Sequence, residues 1–122
     1  SQAAKTLEMD ILRVDAEAGF LEAEFDSQQK FSNFSGDIHA SFLSAMLEET
    51  MNLTLIAALR GFNHATTLNL NVEFHESACQ GKIYSIGKVI SRDSDICFLS
   101  GELYQETRLV ATATATAVIQ NP

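Results

Sequence analysis

Two adjacent acidic residues, Glu48 and Glu49, stand within the longest run of helix-forming and apolar residues in the chain. This run, from about Ser41 to Arg60, predicts one helix about 30 Å long that is apolar on most sides. An ionised carboxylate buried without a partner costs several kcal/mol, so each glutamate needs solvent or a function. Glu48 shares a helical face with Ser44 and Asn52, and Glu49 lies about 100° further round the helix. Two interpretations follow: both side chains reach solvent, or one carboxylate acts as a general base.

A histidine, His39, stands nine residues before Glu48, at the predicted start of the same helix. It follows a polar loop that contains Asn33 and Gly36. The first N–H groups of a helix have no intrahelical partner and carry the positive end of the dipole, so the Ala40 N–H is suited to hold an oxyanion. A plain role in capping or packing is the alternative for His39.

Other arrangements of reactive residues carry less information. His75 and Cys79 lack the further ligands that zinc needs, so no metal site is predicted. His64 is interpreted as a loop or edge residue. The sequence has no Gly-rich phosphate loop, no Gly-x-Ser-x-Gly and no Cys/His nucleophile pattern. Cys79 and Cys97 have no CxxC partner and are expected to be reduced.

The elements that must position these residues follow from the hydrophobic period. Two short strands, Met9 to Val14 and Phe20 to Phe25, predict a hairpin, and the segment from Gln28 to Gly36 predicts an ordered loop. The helix is expected to close at Gly61. Four strands are expected to follow, at Leu68 to Phe74, Lys82 to Arg92, Ile96 to Gln105 and Leu109 to Ile119.

The last predicted strand contains the alternating run Ala111-Thr112-Ala113-Thr114-Ala115-Thr116-Ala117. Such low complexity also occurs in disordered segments. Strict alternation of a small and a β-branched residue favours a strand, because the alanine face lets a helix approach closely.

The element order predicts the fold, and the composition limits the kinds of partner that the protein can bind. A chain of 122 residues suffices for one domain, and the order predicts an α+β fold, an antiparallel sheet of about five to six strands wrapped around one long central helix. The net charge of −8 excludes nucleic acid held by phosphate neutralisation. No apolar stretch reaches the length of ~20 residues that spans a bilayer, and no secretory signal opens the chain, so a cytoplasmic location is expected.

The motif Asn33-x2-Gly36-x2-His39-Ala40-Ser41, with Glu48 nine residues after the histidine and the strand Thr67 to Phe74 beyond it, resembles the hotdog-fold acyl-CoA thioesterases of the phenylacetate-degradation type. The resemblance runs from about Phe20 to Ile119. The family motif continues with Gly-Gly after the histidine, where this chain has Ala40-Ser41.

The resemblance implies a role for each matched position. Glu48 would be the general base or nucleophile, and the Ala40 backbone N–H would bind the thioester oxygen. Asn33 and His39 would orient the thioester or the water, and Thr67 would help to hold the water. The acid and the oxyanion donor would come from different subunits, so the resemblance implies a homodimer or a dimer of dimers.

The implied substrate is a small or medium acyl-CoA, with coenzyme A as part of the substrate and no separate cofactor. Its phosphates need local bases, and Arg92, then Lys88, are the first candidates. Two alternatives stay open: a non-catalytic acyl-CoA binding protein, suggested by the missing Gly-Gly, and a hotdog hydratase or dehydratase.

Overall fold

The computed structural model describes residues 1–60 and 64–120. The elements run in the order α1 (Gln2–Thr6), β1 (Met9–Asp15), β2 (Phe20–Ser27), a 3₁₀ turn (Gln29–Phe31), α2 (Ala40–Ala58), β3 (His64–Phe74), β4 (Gly81–Asp93), β5 (Ile96–Gln105) and β6 (Arg108–Gln120). The predicted position of Gly61 as the helix stop lies outside the described residues.

The strands form one antiparallel sheet in the order β1-β2-β4-β5-β6-β3, counted over the described part of the chain. Helix α2 packs against one face of this sheet, and its residues Met46, Leu47, Met51 and Leu55 are fully buried there. The predicted α+β hotdog architecture, a sheet around one central helix, is therefore confirmed. The apolar and polar residues that alternate with a period of two after the helix predict the strands of this sheet.

Two glycines let the helix lie directly on the sheet. Gly87 and Gly101 face each other across β4 and β5. A Cβ on Gly87 would collide with the Thr54 hydroxyl and lie 3.1 Å from the Thr50 carbonyl oxygen, and a Cβ on Gly101 would lie 3.1 Å from Leu47. Glycine at these places therefore sets the distance between α2 and the sheet.

The alternating alanine–threonine run forms β6, as predicted. Its alanines at positions 111, 113, 115 and 117 are buried in the core, whereas Thr114 is exposed on the other face. Strand β6 pairs with β5 on one side and with β3 on the other, so the small residues lie within the sheet rather than at its margin.

Strand β3 lies at the edge of the sheet and contains a bulge. Thr67 pairs with Ala117 and Asn69 pairs with Thr116, which leaves Leu68 as the extra residue, 59% exposed. The alternation from Leu68 to Phe74 in the sequence places Leu68 on the apolar face of the strand, but the bulge leaves it exposed and turns Thr67 to the core-facing side instead.

Two further boundaries differ from the predictions. The short helix α1 was not expected, and its N-cap is the Ser1 hydroxyl, which accepts a hydrogen bond from the Ala4 N–H. Helix α2 begins at Ala40 and ends at Ala58, two residues before the predicted end. The reason is local, since Arg60 adopts a left-handed φ of 60° that an α-helix cannot contain.

Candidate active site

The carboxylate of Glu48 points from α2 to the edge strand β3. The Thr67 hydroxyl donates a hydrogen bond of 2.6 Å to Glu48 Oε1. Both side chains are half-buried. Within the described residues, no other protein group donates to this carboxylate, so Oε2 is free to accept a proton from water or to attack an electrophile. The structure thus brings together two of the predicted site residues.

The neighbouring carboxylate, Glu49, has a different environment. It is 9% exposed, and its Oε1 accepts a 2.5 Å hydrogen bond from the Ser1 hydroxyl. The sequence left open which of the two glutamates faces the interior. In the structure, Glu49 is the more buried and is held by the N-terminal segment, whereas Glu48 is the one that faces β3.

Asn33 builds a tight turn ahead of the helix. Its Oδ1 accepts hydrogen bonds from the N–H groups of Ser35 (2.9 Å) and Asp37 (3.1 Å), and its own N–H donates to the Asp37 carbonyl (2.7 Å). Gly36 completes the turn with a φ of +85°, a conformation that favours glycine. Because Oδ1 is engaged, the Asn33 side chain has its NH₂ group left to offer a ligand, as a donor.

His39 occupies the N-cap position of α2 and makes no side-chain capping bond. The residue therefore caps the helix through its backbone carbonyl, which accepts from Phe42 and Leu43, and its imidazole takes no part in capping. Its backbone N–H donates to the Phe31 carbonyl at 2.9 Å, and its ring lies 6.4 Å from the Phe42 ring and is exposed. The ring is available to a ligand beside Asn33, and the two residues line a cavity of about 180 Å³ together with Ser32 and Phe34.

Ala40 is the first residue of α2, and it is exposed. After His39, the first backbone N–H groups that form backbone hydrogen bonds are those of Phe42 and Leu43. Both donate to the His39 carbonyl. Over residues 1–60 and 64–120, the N–H groups of Ala40 and Ser41 have no acceptor, which is the usual state of a first helical turn. Ala40 also lines an open cavity of about 350 Å³ whose other walls include Leu43 and Phe74.

The two halves of the predicted site lie apart in one chain. Ala40 and Glu48 are eight residues apart on α2, which at ~1.5 Å per residue separates their backbones by about 12 Å. Asn33, His39 and Ala40 lie at the start of the helix, and Glu48 with Thr67 lies about two turns further on. One thioester carbonyl cannot contact both groups within a single chain.

The two predicted phosphate contacts lie on β4, and Arg92 is in register with Thr67 across the two intervening strands β5 and β6. Lys88 is exposed on the face of the sheet opposite the helix, paired in register with Phe20 and Ser100. Arg92 is exposed near the β4–β5 turn, where its Nε donates to the Ser94 carbonyl at 3.2 Å. Neither residue lines the cavities beside Asn33 and Ala40.

Two residues near the site make contacts that have no signal in the sequence, and a third belongs to the loop predicted from Gln28 to Gly36. Phe34, at the tip of the Asn33 turn, is fully exposed. Gln105 and Arg108 bind the backbone of the segment that leads into β4. Their partners lie 26 and 31 residues away along the chain, so no local pattern reveals them.

The described residues hold no group of three or more His, Cys, Asp or Glu side chains placed to bind a metal ion. The imidazole of His75, considered above as a ligand, lies with Nε2 2.8 Å from the Thr112 hydroxyl. No helix in the described ranges is both long and apolar enough to cross a membrane.

Comparison with known proteins identifies several relatives. Residues 35–112 match the family model of the thioesterase superfamily. The chain is similar to a phenylacetic acid degradation-related protein from Ralstonia eutropha JMP134, with 36% identity over 96% of this chain and 89% of that chain, and a TM-score of 0.92. A search of curated proteins gives no match.

Two more distant structures share the fold. One is a glutamine-to-alanine variant of a thioesterase enzyme from Staphylococcus aureus subsp. aureus Mu50, with 19% identity, coverage of 98% of this chain and 99% of that chain, and a TM-score of 0.88. The other is a hypothetical thioesterase protein with coenzyme A from Streptococcus pneumoniae TIGR4, with 17% identity, coverage of 98% and 93%, and a TM-score of 0.88.

Proposed function

Because the chain belongs to the thioesterase superfamily, we propose that it hydrolyses a small or medium acyl-CoA thioester to the free acid and coenzyme A. The resemblance to hotdog-fold thioesterases of the phenylacetate-degradation type, inferred above from the motif, is confirmed by these similarities. The observation that carries the assignment of the base is the hydrogen bond from Thr67 to Glu48, which fixes a half-buried carboxylate with one oxygen free.

A second copy of the chain completes the proposed site. Strand β3 is an edge strand, and its outer side has no partner strand in the part of the chain that the structure describes. Ala40 shares a cavity with Phe74, at the end of β3, whereas Thr67 lies near the beginning of the strand. Antiparallel pairing of β3 with its copy about a two-fold axis reverses the second strand. It would bring Glu48 and Thr67 of one subunit to the Ala40 end of the other.

In the proposed reaction, the Glu48 carboxylate takes a proton from a water molecule, and the water oxygen attacks the thioester carbon. The carbonyl electron pair moves to the oxygen, where the Ala40 N–H stabilises the negative charge. Collapse of this intermediate breaks the C–S bond, and the coenzyme A thiolate leaves and recovers the proton. In the second route, Glu48 attacks the carbon directly, and the C–S bond breaks as the coenzyme A thiolate leaves, which gives an anhydride between Glu48 and the acyl group. Water then hydrolyses this anhydride, releases the free acid and restores the Glu48 carboxylate, and the thiolate takes up the remaining proton.

The substitution of the family Gly-Gly by Ala40-Ser41 leaves the proposed oxyanion donor in place, because that donor is a backbone group. The Ala40 methyl group narrows the space above the carbonyl instead. Asn33 and His39 would orient the substrate, Asn33 through its free NH₂ group.

The phosphates of coenzyme A would be bound by Arg92, with Lys88 as the second contact. Arg92 lies near the β4–β5 turn, at the end of the sheet where β3 begins and where Thr67 lies. Asp93 and Asp95 adjoin Arg92 in the sequence and reduce the local positive charge. Because Arg92 lies at the Thr67 end of the sheet and Lys88 faces away from the helix, Arg92→Ala is expected to raise KM for acyl-CoA more than Lys88→Ala does.

The direct test is Glu48→Gln, assayed by thiol release from a panel of acyl-CoA thioesters. Removal of a general base is expected to lower kcat by about 10²- to 10⁴-fold, with the fold retained. Equal thiol release by the wild type and the variant would contradict the assignment.

Two further measurements on the wild type, acyl-CoA binding and crotonyl-CoA hydration, test the alternative functions. The Ala40-Ser41 substitution is the observation that favours a non-catalytic binding protein, and tight acyl-CoA binding by the wild type without thiol release would support it. Hydration of crotonyl-CoA without thiol release would support the hydratase alternative.

A further inference from the structure

Gln105, the last residue of β5, has a buried side-chain amide that binds both backbone groups of one distant residue. It is 5% exposed, its Oε1 accepts from the Cys79 N–H at 3.0 Å, and its Nε2 donates to the Cys79 carbonyl at 2.8 Å. A neighbouring strand would offer the same donor and acceptor to Cys79. The side chain of Gln105 thus takes the place of one peptide unit of a strand.

Arg108 fixes the orientation of this amide. Its Nη2 donates to Gln105 Oε1 at 3.2 Å, and its Nη1 donates to the Ser77 carbonyl at 2.9 Å. Three hydrogen bonds therefore agree on which end of the Gln105 amide is the oxygen. Gln105 and Arg108 together attach residues 77–79 to the end of the β5–β6 hairpin.

Residues 78 and 79 in turn hold the segment that enters α2. Cys79 forms an antiparallel bridge with Asp37, and the Ala78 carbonyl accepts the Ile38 N–H at 2.8 Å. On the other side, the Phe31 carbonyl accepts the His39 N–H at 2.9 Å. The two residues before the proposed oxyanion donor are therefore positioned from both sides, and one of these sides depends on Gln105.

We propose that Gln105 is a positioning residue for the oxyanion site, acting through Cys79 and Ile38 on the Ala40 N–H. This inference rests on the proposed function. Gln105 touches no part of the proposed substrate site. Its loss frees residues 77–79 to shift, and a displacement of the order of 1 Å in a group that contacts the reacting atoms lowers the rate by up to about 10²-fold.

The test uses two substitutions at position 105 and a matched control. Gln105→Leu keeps the volume and loses both bonds to Cys79. Gln105→Glu keeps an acceptor for the Cys79 N–H and for Arg108 but loses the donor to the Cys79 carbonyl. The control, Ser85→Ala, removes a fully buried hydroxyl that accepts from Thr50 (3.0 Å) and donates to the Ala23 carbonyl (3.3 Å), away from the proposed site.

Each variant is measured in two ways, by the kinetics of thiol release and by amide hydrogen exchange of residues 37–40. For Gln105→Leu, we expect kcat to fall by about 10- to 100-fold with KM within about threefold, because an oxyanion contact strengthens in the transition state. The Gln105→Glu value should lie between those of the wild type and Gln105→Leu. Exchange at residues 37–40 should be faster in Gln105→Leu and unchanged in Ser85→Ala, whose kcat should stay within about twofold of the wild type.

The outcomes separate this inference from the proposed function. A wild-type protein that releases no thiol overturns the proposed function. If the wild type is active but Gln105→Leu leaves either kcat or the exchange at residues 37–40 unchanged, the positioning role alone is overturned. An equal fall of kcat in Ser85→Ala overturns it as well. If Gln105→Leu does not fold, Gln105→Glu carries the test, and wild-type kcat and exchange in that variant contradict the inference.

Discussion

Replacing Thr67 by valine removes the hydroxyl that holds Glu48 and changes little else. Valine has nearly the shape of threonine and suits a strand, and the lost contact is the 2.6 Å bond to Glu48 Oε1. A hydrogen bond to a charged group contributes about 1.5–3 kcal/mol. At about 1.36 kcal/mol per tenfold change in rate, complete loss of that amount from the transition state would lower kcat by about 13- to 160-fold.

The expected effect is at the lower end of this range. The bond stabilises the carboxylate before the reaction as well as during it, and only the difference between the two states changes kcat. We therefore expect Thr67→Val to lower kcat by about tenfold and Thr67→Ser, which keeps the hydroxyl, to restore most of it.

The assay is thiol release from the best acyl-CoA substrate, with thermal unfolding measured alongside. The matched control is Thr66→Val, since Thr66 is exposed and its hydroxyl donates a weak 3.3 Å bond to Gln120 Oε1. A Thr67→Val variant with wild-type kcat, or an equal loss in Thr66→Val, would refute the idea that Thr67 holds the catalytic carboxylate.

Three further predictions concern groups around the site and in the core. Glu49→Gln should keep kcat within about twofold of the wild type in thiol release, because the Glu49 carboxylate faces the N-terminal segment; a loss as large as that in Glu48→Gln would contradict the choice between the two. Gly87→Ala should lower the free energy of unfolding by about 1–3 kcal/mol in denaturant titration, because its methyl group meets Thr54, and wild-type stability would contradict the close approach of helix and sheet. Burial, and then a hydrogen bond to Glu22, raises the pKa of Tyr84 to about 12 from the ordinary tyrosine value of 10.0. The unfolded chain therefore loses this proton first, and the free energy of unfolding should fall from pH 10 to pH 12. Tyr84→Phe should weaken this pH dependence in urea titrations, and an unchanged dependence would contradict the prediction.

Much of the fold is readable from the sequence because its patterns are local. The Ala–Thr run alternates without interruption, which predicts a strand whose alanine face is small enough for a helix to pack closely against it. Strand β6 has this arrangement. The boundaries of β5 coincide with the prediction at both ends, Ile96 and Gln105, because turn residues flank it. The long helix was equally clear, whereas the short helix α1 has no amphipathic pattern from which to predict it.

The candidate site is harder to predict, because it depends on the bulge at Leu68 in β3 and on contacts between residues that are distant in the sequence. The alternation around Leu68 places Thr67 on the outer face, and only the bulge turns its hydroxyl to Glu48. The assignment of Thr67 came from the family resemblance, not from the period of the strand. The roles of Gln105 and Arg108 depend on pairing between distant segments, which a single sequence does not encode in any local spacing.

In the proposed dimer, one active site is formed by Glu48 of one subunit and the Asn33–Ala40 segment of another. The test combines two variants in one dimer, each of which is expected to lose thiol release when it forms the dimer alone. Glu48→Gln removes the base, and Asn33→Asp keeps the Oδ1 that builds the turn but loses the NH₂ donor.

Chains with different affinity tags are co-expressed, and the mixed dimers are isolated by two successive affinity steps. In a mixed dimer, a shared site leaves one of the two sites with both wild-type halves, so thiol release should return to about half of the wild-type rate per dimer. A mixed dimer no more active than the average of its two inactive parents would contradict a site shared between subunits.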